Sequence, residues 1–177
     1  SDNQSSLPPN PFLYSRARNV QELTLNFEST IAALEDEFAR VARNTSGATG
    51  TERALVIGIQ SDDDHLAETL ELVRSANVIL AGTSRQRRHR IHPKTVVGRG
   101  NLQEIVLAAM RRNAEVAIFD INLKPAQARA FEDATGLKAI DRTQLILDVF
   151  AQRARSGDGK LQVELAQLRY SLPRLTE

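Results

Sequence analysis

An α/β fold, with a mainly parallel sheet of about four strands flanked by helices, is predicted by three features of this 177-residue chain. Short continuous apolar runs, such as Ala54–Gln60 (ALVIGIQ) and Val116–Asp120 (VAIFD), are what strands buried on both faces look like. Between them lie segments with apolar residues every three or four positions, long enough to be crossover helices. Helix-start and helix-stop residues fall at the joints, with Pro125 at a first turn and Gly136 just past a last one.

In chain order, residues 1–18 (SDNQSSLPPNPFLYSRAR) have no apolar period and read as a disordered lead-in. Asn19 can cap a long amphipathic helix to about Arg43, with Val20, Leu23, Phe27, Ile31, Leu34, Phe38 and Val41 at spacings of three and four. Asn44–Gly50 is a connector, which places the N-terminal helix and linker at 19–50 and the α/β domain at 51–155. The strand from Ala54 is followed by Ser61-Asp62-Asp63-Asp64 and a helix through Ala76, its carboxylates suited to the positive end of the helix dipole. A second strand is expected over Asn77–Gly82 and a short third over Thr95–Gly98. A helix from Gly100 should bury Leu102, Ile105, Val106, Ala109 and Met110. After the Val116 strand and the Pro125 helix, Leu137–Ile140 makes a last short strand. Asp141-Arg142-Thr143-Gln144 reads as a capping box, Asp141 reaching forward and Gln144 back, for a further helix.

A Gly157-Asp158-Gly159 break then separates that helix from a final helical pattern within 156–177. Leu161, Leu165, Leu168, Leu172 and Leu175 alternate at spacings of four and three, the a/d seam of a coiled coil. Three fates are open to this stripe: packing on the 19–43 helix, contact between copies of the chain, or swinging out on the glycine break. Contact between copies is favoured because an unpaired apolar stripe tends to find cover. Pro173 weakens the last turn, since it removes a backbone bond and crowds the turn before it.

Composition narrows the chemistry. With 41% apolar and 25% charged residues the chain is of ordinary globular make-up, and the absence of cysteine removes disulfides, thiolate catalysis and thiolate zinc sites. Apolar runs fall far short of the ~18 residues a membrane span needs, so no membrane insertion and a cytoplasmic setting are expected. The net charge of +1 conceals an asymmetry: residues 1–84 hold 6 basic and 12 acidic residues, residues 85–177 hold 17 and 10. A basic half of this kind invites a polyanionic partner.

The densest local signal is Arg85, Arg87, Arg88, His89, Arg90, His92, Lys94 and Arg99, with no acid between Ser84 and Gly100. Together with Arg153, Arg155 and Lys160 it is the expected RNA contact, made mostly through phosphates. No aromatic residue interleaves the run, which argues against base stacking there. A second candidate is a phosphate turn at Gly98, Arg99, Gly100 and Asn101, between a strand and a helix start. It lacks the third glycine of a dinucleotide fingerprint, and the alternative is a tight turn that needs positive φ. Asp62, Asp63 and Asp64 could ligate magnesium, but consecutive acids at a helix start point in different directions. His65, His89 and His92 have no cysteine partner, and no catalytic group stands out. The sequence contains no G-x-x-x-x-G-K-[ST] loop, so no cofactor and no self-sufficient nucleotide hydrolysis is expected of this chain.

His92-Pro93-Lys94 leading to Val97-Gly98-Arg99-Gly100, then Phe119-Asp120, Lys124-Pro125-Ala126-Gln127, and Asp141-Arg142-Thr143 through Phe150-Ala151-Gln152-Arg153-Ala154 resemble the HflX-type GTPases. The run Lys160–Leu168 and then Leu172-Pro173-Arg174-Leu175 is similar to the start of that family's helical subdomain. The resemblance covers about 54–177 and implies a parallel α/β domain, then a helical hairpin, then a GTPase domain that holds GTP and magnesium beyond this stretch. It implies an N-terminal fragment whose partner is the large ribosomal subunit and its RNA, in proteins some of which split ribosomes. The chain departs from the family at Asn101, usually lysine, and at Lys124, often serine. Alternatives from other classes are a nucleotide-sensing module at the Gly98–Gly100 turn and a helix-mediated interaction module.

Overall fold

The computed structural model describes residues 52–59, 61–86 and 91–175. The lead-in 1–18, the expected helix and linker 19–50, and Arg87, Arg88, His89 and Arg90 lie outside these residues.

Among the described residues nine elements follow one another: β1 (Arg53–Ile59), α1 (Asp63–Ser75), β2 (Ile79–Gln86), α2 (Arg99–Arg112), β3 (Val116–Phe119), α3 (Pro125–Thr135), β4 (Lys138–Ile140), α4 (Arg142–Arg153) and α5 (Gly157–Leu175). The four strands pair in parallel in the order β2-β1-β3-β4. The chain moves one way across the sheet after β1 and the other way after β2. Right-handed crossovers therefore send α1 to one face and α2 to the other.

Alternation along β1 divides the core in two. Ala54 and Val56 face α1 and α4, with Leu72, Val73, Leu145 and Val149. Leu55, Ile57 and Ile59 face α2 and α3, with Ile105, Phe119 and Phe131. Phe119 meets Phe131 edge to face, with ring centroids 4.9 Å apart, a geometry that sets a positive ring edge on a negative face. β3 is buried along its whole length, which is why its sequence shows no polar alternation.

The structure corrects several expectations. Thr95–Gly98 is not a strand. His92 and Val96 form a single antiparallel bridge, and Val96 takes φ 65°, a costly conformation for a β-branched residue. The positive φ expected at Gly98–Gly100 is thus found two residues earlier, and Gly98 itself is extended at φ −73°. β2 runs on to Gln86, so Arg85 sits in a strand rather than a loop. Met110 is 70% exposed, because it lies about 100° around the helix from buried Ala109. The capping box at Asp141 forms only in its forward half, with Asp141 accepting from Gln144 N–H at 3.0 Å. Lys124, with no acceptor to offer, starts α3 while Gln127 reaches back to its N–H at 3.0 Å. Gly157-Asp158-Gly159 is the first turn of α5 rather than a break, and the chain turns at Ala154–Ser156 instead.

Candidate nucleic-acid interface

In a parallel sheet the loops that follow the strands gather at one edge, and four cations of this chain collect there. Arg85 ends β2, Lys94 and His92 lie in the loop that follows it, Arg99 opens α2, and Lys124 precedes α3. Gln127 ties two of these loops together by donating to the Pro93 carbonyl at 3.2 Å. His92, Lys94, Arg99 and Lys124 are exposed. The His92 ring is oriented by its Nδ1, which accepts from Thr95 N–H at 3.3 Å and meets Thr95 Oγ1 at 3.0 Å. Lys124 was missed in the sequence because it is remote from the basic run. Only the pairing of β3 beside β1 brings it to that edge.

Arg85 is held differently. Its guanidinium pairs with Asp63 at 2.6 Å and reaches the Asp62 carbonyl at 3.4 Å. The acidic start of α1 thus offsets one of the four cations. Asp62 in turn caps α1 through His65 N–H at 2.8 Å. These roles account for Asp62 and Asp63 without a metal, and among the described residues no group of three or more carboxylates and histidines is arranged to hold one.

Arg153, Arg155 and Lys160 are not part of this surface. Arg153 ends α4, Arg155 follows it and Lys160 lies in the first turn of α5, at the opposite edge of the sheet, where Gln152 donates to the Ala76 carbonyl at 2.8 Å just ahead of β2. Basic residues grouped in the sequence reading therefore occupy two edges. At the Gly98–Gly100 turn, α2 begins with no side-chain cap. A Cβ at Gly98 or Gly100 would meet nothing within 4 Å, so neither glycine is required by a close neighbour.

The Asp141-Arg142-Thr143 string proves to be a fastening. Asp141, 2% exposed, accepts from Gln144 N–H, from Leu123 N–H at 3.1 Å, from the Tyr170 hydroxyl and from Arg174 at 2.6 Å. Arg142 reaches Glu68 at 2.8 Å and Thr69 at 3.3 Å on α1. Thr143 donates to Asn122 through its N–H at 3.1 Å and its hydroxyl at 2.9 Å. One tripeptide thus joins α1, the β3–α3 loop, α4 and α5. Burial, and next the Asp141 carboxylate, push the Tyr170 hydroxyl well above its ordinary pKa. A second buried carboxylate, Asp120, accepts from Ile59 N–H at 2.8 Å and closes the gap between β1 and β3 past the end of their ladder.

The leucine seam faces outward: Leu161, Leu165, Leu168, Leu172 and Leu175 are 48–80% exposed. The inner face of α5 carries Val163, Ala166 and Tyr170 instead. No helix among the described residues is long and apolar enough to cross a membrane.

Comparison with known proteins places these features in a family. The model of the GTP-binding GTPase N-terminal region matches residues 63–151, and that of the GTP-binding GTPase middle region matches 153–177. The chain is 45% identical over 128 residues to the GTPase HflX of Escherichia coli (strain K12), a stretch that is 70% of this chain and 30% of that protein. It is 41% identical over 131 residues to the GTPase HflX of Alkalihalophilus pseudofirmus, covering 71% and 31%. The chain thus spans about a third of the length of the curated relatives it matches. Among solved structures it is similar to SsGBP in a GDP complex, with TM-score 0.60 and 25% identity over 71% of this chain and 36% of that one. A GTP-binding protein from Sulfolobus solfataricus in complex with GDP is similar at TM-score 0.58 and 25% identity, over 71% and 38%.

Proposed function

The chain belongs to the HflX-type GTPase family, whose N-terminal and middle regions it matches, and from that membership we propose that it is a ribosome-binding domain without hydrolysis of its own. The partner is the RNA of the large ribosomal subunit, met by the basic edge of the sheet at Arg85, Lys94, Arg99 and Lys124 together with Arg87, Arg88 and Arg90, which follow Arg85 in the sequence. The observation that carries this reading is the convergence, on one exposed edge, of cations from the end of β2 and from the two loops that follow β2 and β3, where among the described residues only Arg85 is tied to an acid. GTP and magnesium belong, on this reading, to a GTPase domain of the intact protein, and ribosome splitting or rescue is the task that the domain serves.

Phosphate contacts make such binding salt-dependent, each neutralised phosphate adding about 0.7–0.9 to the slope of log K against log salt. Charge reversal at Arg87, Arg88 and Arg90 is expected to reduce co-sedimentation with large subunits and to flatten that slope. Unchanged sedimentation and slope would remove this edge from the contact.

A further inference from the structure

Helix α5 packs along α4 through Val163, Ala166 and Tyr170. Only Gly159 and Val163 of its 19 residues are buried, and its leucines face away. Near its middle, Gln167 donates to Asp148 on α4 at 2.9 Å. Its last turn is bound far more heavily. Arg174 donates to Asp141 at 2.6 Å, to the Leu123 carbonyl at 3.0 Å and to the Tyr170 hydroxyl at 2.8 Å, while its guanidinium carbon lies 3.9 Å from the centre of the Tyr170 ring. The Tyr170 hydroxyl completes the triangle by donating to Asp141. From α3, Arg129 adds a bond to the Arg174 carbonyl at 3.0 Å.

These contacts lie at the far end of α5 from the Ala154–Ser156 turn. A helix of this length is about 28 Å long, and a bond at its tip resists rotation about the turn with the longest available lever. Burial keeps the Asp141–Arg174 pair from being screened by salt. Loss of either partner leaves a charge without its counterpart.

We propose that Tyr170 and Arg174 are a latch that sets the direction in which α5 leaves the α/β domain, and that opening the latch is the motion available to this arm. The Ala154–Ser156 turn is the pivot, and the small side chains of Val163 and Ala166 with the Gln167–Asp148 bond are the arm's other footing. Tyr170 and Arg174 are positioning residues: they act on how the arm is presented. For ribosome binding, a consequence that rests on the function proposed above, latch variants weaken association while every cation of the basic edge is untouched.

The chain has no cysteine, so Gln103→Cys on α2 and Glu164→Cys on α5, both exposed positions, take one spin label each. Inter-label distances are then measured by pulsed electron resonance in the full chain, alone and with Tyr170→Phe or Arg174→Met. The latch predicts one narrow distance in the parent, a broad or double distribution in Arg174→Met, and an intermediate one in Tyr170→Phe. Thermal melting stays a single transition in both variants. A distribution that is broad in the parent, or equally narrow in all three proteins, overturns the proposal. Where Arg174→Met fails to fold, Tyr170→Phe alone decides, and a parent-like width overturns it. Lost ribosome association with an unchanged distance distribution would count against the latch and leave the basic edge standing. A broadened distribution without any effect on ribosome association would count against the proposed function and leave the latch standing.

Discussion

Asp141–Thr143 and His92–Arg99 lie at the same edge of one sheet, and they use their polar groups in opposite ways. Each side chain of the first is bonded to another element, with Asp141 alone serving four donors. In the second, His92, Lys94 and Arg99 are exposed, and the segment turns back on itself through one bridge and a strained Val96. The residues most distinctive in sequence hold the fold, whereas a run notable only for its charge offers the surface. Distinctiveness of a motif is therefore no sign that its side chains are exposed. Polar groups already satisfied inside the chain have little left for a ligand.

Substitutions at the two places should separate stability from binding. The largest effect is expected from Asp141→Ala, which leaves the Arg174 charge and two backbone N–H groups without their acceptor. Loss of one partner from a buried pair costs about 3–5 kcal/mol, readable as a fall in the urea midpoint at unchanged slope. Thr143→Val should cost about 1–3 kcal/mol, since Asn122 loses a donor in a part-buried site. In contrast, Lys94→Ala with Arg99→Ala should leave stability within about 0.5 kcal/mol while lowering RNA affinity. A loss of stability there equal to that of Asp141→Ala would erase the distinction.

A subtler contrast is titratable. Burial raises the pKa of Asp148 above the ordinary carboxylate range, more than its bond from Gln167 and the charge of Lys138 lower it. The folded chain thus keeps a proton on Asp148 at a pH where the unfolded chain has released it, and stability declines as pH rises through that window. Asp148→Asn should accordingly raise the melting temperature at neutral pH. The gain should shrink on acidification below the raised value. A gain that is independent of pH would assign the effect to packing. The smallest change is expected from Leu165→Glu on the outer stripe, within about 0.5 kcal/mol. Sedimentation equilibrium of that variant and the parent tests the proposed contact between copies, which requires a parent heavier than the variant.

Much of the fold was legible because it is written locally. The apolar runs of β1 and β3, Pro125 at the start of α3 and Gly136 at its end each depend on nearby residues alone. What could not be read was set by distant parts of the chain. The leucine stripe of α5 marks no inward face in the sequence; Val163, Ala166 and Tyr170 turn inward, and Asp141, 29 residues before Tyr170, holds its hydroxyl. Lys124 joins the basic edge because β3 pairs beside β1, and Arg153 with Lys160 leaves it because α4 runs from one edge of the sheet to the other; charge counting along the chain registers neither. The Thr95–Gly98 run has strand-like residues but no neighbouring strand to pair with, and forms only a bridge.

The direct test of the account is the salt dependence of binding to purified large ribosomal subunits by Lys94→Ala/Arg99→Ala set beside Thr143→Val, at a temperature where both are folded. The double variant is expected to form a weaker complex with a slope reduced by roughly 1–2, and Thr143→Val to keep the parental slope. The same slope in all three proteins would contradict it.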